Sequence, residues 1–142
     1  MITAWRISKR RYADLSGTGA KTTGGRWNSP GVAVVYLADH PALAALEVRV
    51  HLDLPPDLLP DDYVIMKVEL PDEPPAEIGS VPPDTREAGD SWVAAQRSAV
   101  LRVPSIIVPP AVNYLLNPIH ANAKYSKIVS INQFSFDVRL WD

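Results

Sequence analysis

The sequence contains no cysteine, and this absence excludes several kinds of chemistry. With no cysteine among its 142 residues, the chain offers no disulfide framework, no thiolate nucleophile and no thiolate metal site. Long apolar runs are also missing, because no stretch approaches the ~20 residues that span a bilayer. The amino terminus lacks the basic-then-apolar layout of a secretory signal. These absences favour a cytoplasmic protein that does not enter a membrane.

Neither sign of charge is in large excess. The net charge is -2, and the one basic cluster is Lys9-Arg10-Arg11. Proteins that bind nucleic acid usually carry a basic stripe, so direct binding of nucleic acid is not expected. Hydrophobic residues make up 46% of the chain and charged residues 21%, which is typical of a single globular domain of this length.

Apolar patterns along the chain predict an α+β domain. The predicted strands are residues 3–7, 32–37, 63–70, 100–103, 106–108, 127–131 and 134–140. The predicted helices are residues 41–51 and 86–98. Residues 12–23 and 71–84 are expected to be loops, and residues 113–120 a polar turn. The connection lengths favour a single domain of mixed, mainly antiparallel sheet with a few helices.

The most distinctive stretch is Gly-Gly-Arg-Trp-Asn-Ser-Pro-Gly at residues 24–31. Adjacent glycines let the backbone approach a ligand closely, and an arginine offers a planar set of donors for phosphate or carboxylate. Trp27 offers a ring face for stacking. Together these properties predict a ligand with anionic groups and rings. The alternative is a glycine turn whose Arg26 and Trp27 only cover the edge of the core.

Glu47 is the second candidate for a functional residue. It lies beside Leu43 and Leu46 on the inward half of the predicted helix 41–51. Burying a carboxylate without a partner is costly, and Arg49 lies on another face. Glu47 therefore either reaches the edge of the apolar face or points into a site.

The sequence carries a series of short motifs along its length. They are Arg6 with Tyr12, Leu-Ser-Gly-x-Gly-Ala at 15–20, residues 24–31, Val-Val-Tyr at 34–36, Ala-Leu-Glu-Val at 45–48 with His51, Val-Pro-Ser at 103–105, and Asn-Tyr-Leu-Leu-Asn-Pro-x-His at 113–120. In this order, these motifs resemble those of the RES-domain toxins of bacterial toxin–antitoxin pairs, a family named for its Arg, Glu and Ser. The resemblance predicts one RES domain over residues 1–142, and Ala121 is its one departure, where the family has proline.

The resemblance implies a fold similar to the ADP-ribosyltransferases and an activity that consumes NAD. The residues that it places in the catalytic site are Arg26, Tyr36, Glu47 and Ser105. Those that it places against NAD are Gly25, Arg26, Trp27, Asn28 and Tyr36. Ser126 is the weaker match for the family's serine. NAD would be a substrate, and no metal is expected.

Each implied role is chemically reasonable. Cleavage of the nicotinamide–ribose bond builds positive charge on the ribose, which a carboxylate such as Glu47 can stabilise. Arg26 would hold the pyrophosphate, with glycine amides sharing the anion, and Tyr36 would stack on a ring. Ser105 would orient Arg26 or a ribose hydroxyl; a serine without an obvious base is a poor nucleophile, so no covalent step is expected.

Four other polar residues of the matching motifs receive structural roles. His51 and His120 are expected to make structural hydrogen bonds, and without a carboxylate or cysteine cluster neither suggests a metal site. Asn113 and Asn117 are expected to cap and pin their own turn.

The resemblance leaves the acceptor of ADP-ribose open. Transfer to phosphate or water would make the chain a toxin that degrades NAD and arrests growth, whereas transfer to a protein would make it an ADP-ribosyltransferase. A non-catalytic nucleotide-binding module is the third alternative. The implied partner is an Xre-type antitoxin that blocks the active site, and a homodimer within a hetero-oligomeric complex is compatible with this arrangement.

Overall fold

The structure, a computed structural model, describes residues 1–141 and has the expected α+β architecture. Its strands are β1 (Thr3–Lys9), β2 (Val35–Ala38), β3 (Tyr63–Glu69), β4 (Ala76–Glu77), β5 (Val100–Pro104), β6 (Val112–Leu116) and β7 (Lys127–Gln133). Its α-helices are α1 (Thr18–Thr23), α2 (Pro41–Arg49) and α3 (Thr85–Ala95). Short 3-10 helices cover Arg10–Tyr12, Pro56–Leu58, Ala121–Tyr125 and Val138–Trp141.

The strands form one sheet in the order β4-β5-β6-β2-β1-β3-β7. Neighbouring strands are antiparallel, apart from the parallel pair β4 and β5. The mainly antiparallel sheet predicted from the connection lengths is therefore confirmed. Within residues 1–141, no helix has the length and apolar character needed to cross a membrane.

The sheet opens between its central strands, β1 and β2. β1 pairs with β3 along its whole length, from Thr3 to Lys9. Between β1 and β2, by contrast, Trp5 and Ala38 form the single register pair of the described residues. β2 is instead paired along its length with β6. Because β1 and β2 separate beyond this contact, a space opens in the middle of the sheet.

The helices α2 and α3 pack against different strands of the sheet. α2 begins after His40, whose Nδ1 accepts a hydrogen bond from the backbone N–H of Ala42 at 3.0 Å. Leu43 and Ala44 of α2 pack against the strands near Ile7. Trp92 and Val93 of α3 pack with a cluster that includes Leu101 of β5 and Leu115 of β6.

Gly89 sets the distance between α3 and the turn of residues 24–31. A Cβ at position 89 would lie 1.7 Å from the carbonyl oxygen of Trp27, which is far inside van der Waals contact. Any larger residue would push α3 away from the turn. The turn that carries Arg26 is thus packed directly against a helix backbone.

Three regions predicted to lack regular structure contain some. The predicted loop 12–23 includes α1, and a tertiary hydrogen bond from Asn28 Nδ2 to the carbonyl oxygen of Ala20, at 2.9 Å, holds its middle. The predicted turn 113–120 starts within β6, whose backbone is paired with β2 on one side and β5 on the other. The predicted loop 71–84 also contains the short strand β4.

Two predicted strands were wrong. Residues 106–108 form bends that lead into a turn, closed by the bond from Ala111 N–H to the carbonyl oxygen of Val108 at 2.8 Å. Residues 134–140 form an irregular segment that ends in a 3-10 helix. Its alternating aromatic residues pack edge to face: the ring centroid of Phe136 lies 4.9 Å from that of Phe134 and 5.4 Å from that of Tyr63.

Candidate functional site

A cavity of about 360 Å³ lies where β1 and β2 separate. One wall comes from Trp5 to Ile7 of β1, and another from Tyr36 to Ala38 of β2. The helix α2, the loop that follows it, the turn of residues 24–31 and β6 complete the enclosure. Five residues that the resemblance assigns to the site meet here: Gly25, Arg26, Trp27, Tyr36 and Glu47.

Glu47 lines the cavity, and two hydrogen bonds to one of its oxygens fix its carboxylate. Ser105 Oγ donates to Glu47 Oε2 at 3.0 Å, and Asn113 Nδ2 donates to the same oxygen. Oε1 accepts no hydrogen bond from any side chain or backbone group in residues 1–141. The side chain therefore points into the site rather than away from it, with one oxygen oriented and the other free.

Ser105 supports Glu47 and makes no hydrogen bond to Arg26 in the described residues. Its side chain is buried, 2% exposed, and its hydroxyl also accepts a hydrogen bond from the backbone N–H of Val108 at 3.1 Å. The expected role of orienting Arg26 or a ribose hydroxyl therefore does not fit these contacts. Ser126 is not among the cavity residues, and its Oγ is buried without a hydrogen-bond partner in the described part of the chain.

Asn113 is a site residue that sequence reasoning missed. It was expected to pin its own turn, but it lies in β6 opposite Ala38 and binds Glu47. A usable signal was present: Asn113 precedes the apolar run Tyr-Leu-Leu, and a polar side chain inside a buried strand needs a partner. Asn117, in contrast, does pin its turn, because its Oδ1 accepts from the N–H of Ile119 at 3.2 Å.

Tyr36 fastens the turn that carries Arg26. Its hydroxyl donates to Asn28 Oδ1 at 2.6 Å and accepts from the backbone N–H of Trp27 at 2.9 Å. Burial raises the pKa of Tyr36 to about 12, partly offset by the hydrogen bond from Trp27 and by nearby arginine charges. Gly25 permits this contact, because a Cβ there would lie 2.7 Å from the Tyr36 hydroxyl.

The opposite side of the same turn is tied to α3. Asp90 accepts two hydrogen bonds from Ser29, one from its backbone N–H at 2.9 Å and one from its hydroxyl at 2.6 Å. Thr85 Oγ1 donates to the carbonyl oxygen of Arg26. The turn is thus held by both β2 and α3, and these contacts fix the backbone position of Arg26.

Two arginines stand at this turn without carboxylate partners. No salt bridge within residues 1–141 involves Arg26 or Arg86. The Arg26 side chain is exposed and makes no hydrogen bond in the described residues, whereas Arg86 Nε donates to the carbonyl oxygen of Gly25 at 3.0 Å. Sequence reasoning treated Arg86 only as the start of a helix, and a lone arginine there gives no signal of a site.

Several groups expected to contact NAD already have structural partners. Trp27 is 3% exposed and packs in the core with Val34 and Trp92, so its ring face is covered. Asn28 is fully buried, and its amide binds the Tyr36 hydroxyl and neighbouring carbonyl oxygens. The N–H of Gly25 donates to the carbonyl oxygen of Asn28 at 3.0 Å, so this glycine amide is not free for an anion.

Arg6 adds a further cation to the cavity wall. Its guanidinium donates to the carbonyl oxygen of Tyr12 at 3.4 Å, and its buried Nε has no hydrogen-bond partner in the described residues. Burial lowers the pKa of Arg6, and the charge of Asp14 opposes this effect. No group of three or more His, Asp or Glu within residues 1–141 is arranged to hold a metal ion.

Comparison with known proteins identifies relatives that span nearly the whole chain. The family model described as the RES domain matches residues 3–139. The chain is 43% identical to a protein named Prs ADP-ribosylating toxin from Sphingobium sp., over 154 aligned positions that cover 96% of this chain and 94% of the relative. It is 41% identical to a protein named Toxin Res from Pseudomonas putida, which covers 96% of this chain and 98% of the relative.

A solved structure has the same fold. A chain in the crystal structure of the M. tuberculosis MbcT–MbcA toxin–antitoxin complex superimposes with a TM-score of 0.73. The alignment covers 94% of this chain and 84% of that one, at 19% sequence identity. At this identity, the similarity establishes the fold alone.

Proposed function

This chain belongs to the RES-domain family, and we propose that it is the toxin of a toxin–antitoxin pair, a cytoplasmic enzyme that consumes NAD by cleaving its nicotinamide–ribose bond. The observation that carries the proposal is a carboxylate, Glu47, held by two donors on the same cavity as the unpaired Arg26. The names of two curated relatives support the toxin assignment.

Glu47 acts on the reacting ribose. As the bond to nicotinamide breaks, the ribose gains oxocarbenium character, and the free Oε1 stabilises that charge or holds a ribose hydroxyl. Ser105 and Asn113 hold the other oxygen before substrate arrives. Because the carboxylate is already oriented, little reorganisation is needed in the transition state.

The cations around the cavity bind the substrate's phosphates. Arg26 is free to make a bidentate contact with the pyrophosphate, and Arg6 adds positive charge from the β1 wall. Tyr36 presents its ring to the cavity, while its hydroxyl remains engaged with the turn. The ring therefore stacks on the nicotinamide or the adenine ring, and the hydroxyl supports Arg26 indirectly.

The acceptor of the ADP-ribosyl group is the point on which two candidate functions differ. In the first, inorganic phosphate or water attacks the ribose and the NAD pool is destroyed. In the second, a side chain of a host protein takes the group. The name of the Sphingobium relative, Prs ADP-ribosylating toxin, favours this second function.

Product analysis separates these functions. The purified protein is incubated with NAD in phosphate-free buffer, with added phosphate, and with the host's Prs protein, and products are identified by mass spectrometry. Nicotinamide with free or phosphorylated ADP-ribose supports NAD degradation, and an added ADP-ribosyl mass on Prs supports protein modification. Intact NAD under every condition contradicts both and leaves the non-catalytic binding module.

The proposed partner is a smaller antitoxin of the helix-turn-helix Xre type that covers the cavity formed by Arg26, Tyr36 and Glu47. Blocking a preformed site requires no rearrangement of the toxin. Expression of the chain alone should stop growth and lower cellular NAD, and co-expression of the neighbouring antitoxin gene should restore both. Growth unaffected by the chain alone, or continued NAD loss with the partner bound, contradicts the assignment.

A further inference from the structure

We propose that Arg86, together with Arg26 and His51, forms a phosphate-binding subsite in an open cleft beside the cavity. The cleft is lined by residues 83–86 and by Gly25, Arg26 and His51, and these last three also line the cavity. The two spaces are therefore contiguous. The inference deepens the proposed function, on which it rests, because it assigns a substrate group to the space next to Glu47.

The charges of the cleft favour an anion. Arg86 Nε is used by the carbonyl oxygen of Gly25, which holds the guanidinium in place, while its terminal nitrogens have no hydrogen-bond partner in residues 1–141. The guanidinium of Arg26 is also unpartnered there. The acid in the cleft, Asp84, caps α3 by accepting from the N–H of Glu87 at 3.0 Å and forms no salt bridge in the described residues. A phosphate bound here would relieve the repulsion between the guanidinium groups of Arg26 and Arg86.

His51 connects the cleft to the reacting bond. It follows Glu47 by four positions, and its backbone N–H bonds to the carbonyl oxygen of Val48 at 3.0 Å, which continues the turn at the end of α2. Its imidazole makes no hydrogen bond within the described residues and lines both spaces. An oxygen bound between His51 and Arg86 would therefore lie beside the space that the ribose occupies.

The bound group has two possible sources. A dinucleotide with its nicotinamide riboside in the cavity would extend its pyrophosphate past Gly25 and Arg26, the wall that the two spaces share. A separate phosphate that accepts ADP-ribose would reach the ribose from the same cleft. Both sources present the same chemistry to Arg86, and steady-state kinetics distinguishes them.

The test replaces Arg86 with glutamine and with lysine. Arg97→Gln is the matched control, because it removes the same charge from an exposed arginine beyond the end of α3 that lines neither space. Loss of a charge-assisted contact should raise KM about tenfold in Arg86→Gln with little change in kcat. The rise is in the KM for NAD, in phosphate-free buffer, if the pyrophosphate binds here. It is in the KM for inorganic phosphate if the acceptor binds here.

Arg86→Lys guards against a structural explanation, since lysine can still donate to the Gly25 carbonyl but lacks the planar fork. Both variants should show the effect, and values within twofold of wild type for both KMs overturn the subsite.

Titration of ADP into the Glu47→Gln variant, with and without Arg86→Gln, measures binding without turnover. Tenfold weaker ADP binding alongside an inactive wild type would retain the subsite and reject NAD consumption. If wild type consumes NAD but Arg86→Gln changes neither the KM values nor the affinity for ADP, NAD consumption is retained and the subsite is rejected.

Discussion

Replacement of Tyr36 by phenylalanine removes one oxygen atom and separates the two roles of this residue. The ring remains, but Asn28 Oδ1 and the backbone N–H of Trp27 lose the hydroxyl that they bind. Both groups belong to residues that are at most 3% exposed, so water does not readily replace the lost bonds. At about 1–3 kcal/mol for each of these two unsatisfied buried groups, the free energy of unfolding should fall by roughly 2–6 kcal/mol.

The pKa of Tyr36 supplies an independent check. Burial raises it from 10.0 to about 12 in the folded state, so folding is favoured while the hydroxyl is protonated. This contribution is complete below pH 10 and is lost as the pH rises towards 12, with roughly 1 kcal/mol lost by pH 11. Tyr36→Phe should lack this component of the alkaline loss, whereas the other tyrosines contribute equally to both proteins.

Urea denaturation followed by tryptophan fluorescence at pH 7 and pH 11 measures both effects. The NAD kinetics of the same variant test the consequence for the site. A loosened turn should raise the KM for NAD about tenfold, because Arg26 is less well positioned. Equal urea midpoints, equal pH dependence and an unchanged KM would refute the role of the hydroxyl and leave ring stacking as the function of Tyr36.

Three further substitutions test individual contacts. Arg26→Lys keeps the charge but loses the planar fork, so kcat/KM for NAD should fall about tenfold; wild-type kinetics would reject the phosphate contact. Asn113→Ala removes one of two donors to Glu47, so kcat should fall about tenfold with little change in KM, and a pure KM effect would contradict this role. Gly25→Ala forces its Cβ against the Tyr36 hydroxyl, so urea denaturation should show a loss of about 1–3 kcal/mol, and an unchanged midpoint would disprove the close contact.

The sequence predicted the elements whose residues carry their own periodic signal. The alternation of apolar and polar residues at 63–70 located β3 to within one residue, and the spacing of leucines with Pro41 at the first turn located α2. The elements that were missed depend on tertiary contacts. Gly17 and Gly24 flank α1 and Gly19 lies within it, so the helix depends on support from a side chain of the neighbouring turn. The sequence of β6 predicts a turn, and its strand forms because β2 and β5 pair with it on both sides.

The site was predictable where a residue's chemistry was visible in its motif, as for Arg26 and Glu47. Its support was not, because it depends on which strands meet across the sheet. Ser105 and Asn113 are brought to Glu47 by the ends of β5 and β6, 58 and 66 positions away in the chain. Trp27 shows the opposite error: its ring looked available for a ligand, but α3 covers it.

The most direct test of the account is the rate of NAD consumption by wild type and Glu47→Gln, with nicotinamide release measured at saturating NAD. The amide retains the size of the carboxylate and can still accept hydrogen bonds, but it carries no negative charge to stabilise the oxocarbenium ion. We expect wild type to release nicotinamide. Glu47→Gln should bind NAD with similar affinity, but its turnover should fall by on the order of 10²-fold or more. A folded Glu47→Gln protein with full activity, or a wild type that leaves NAD intact, would contradict the proposed chemistry.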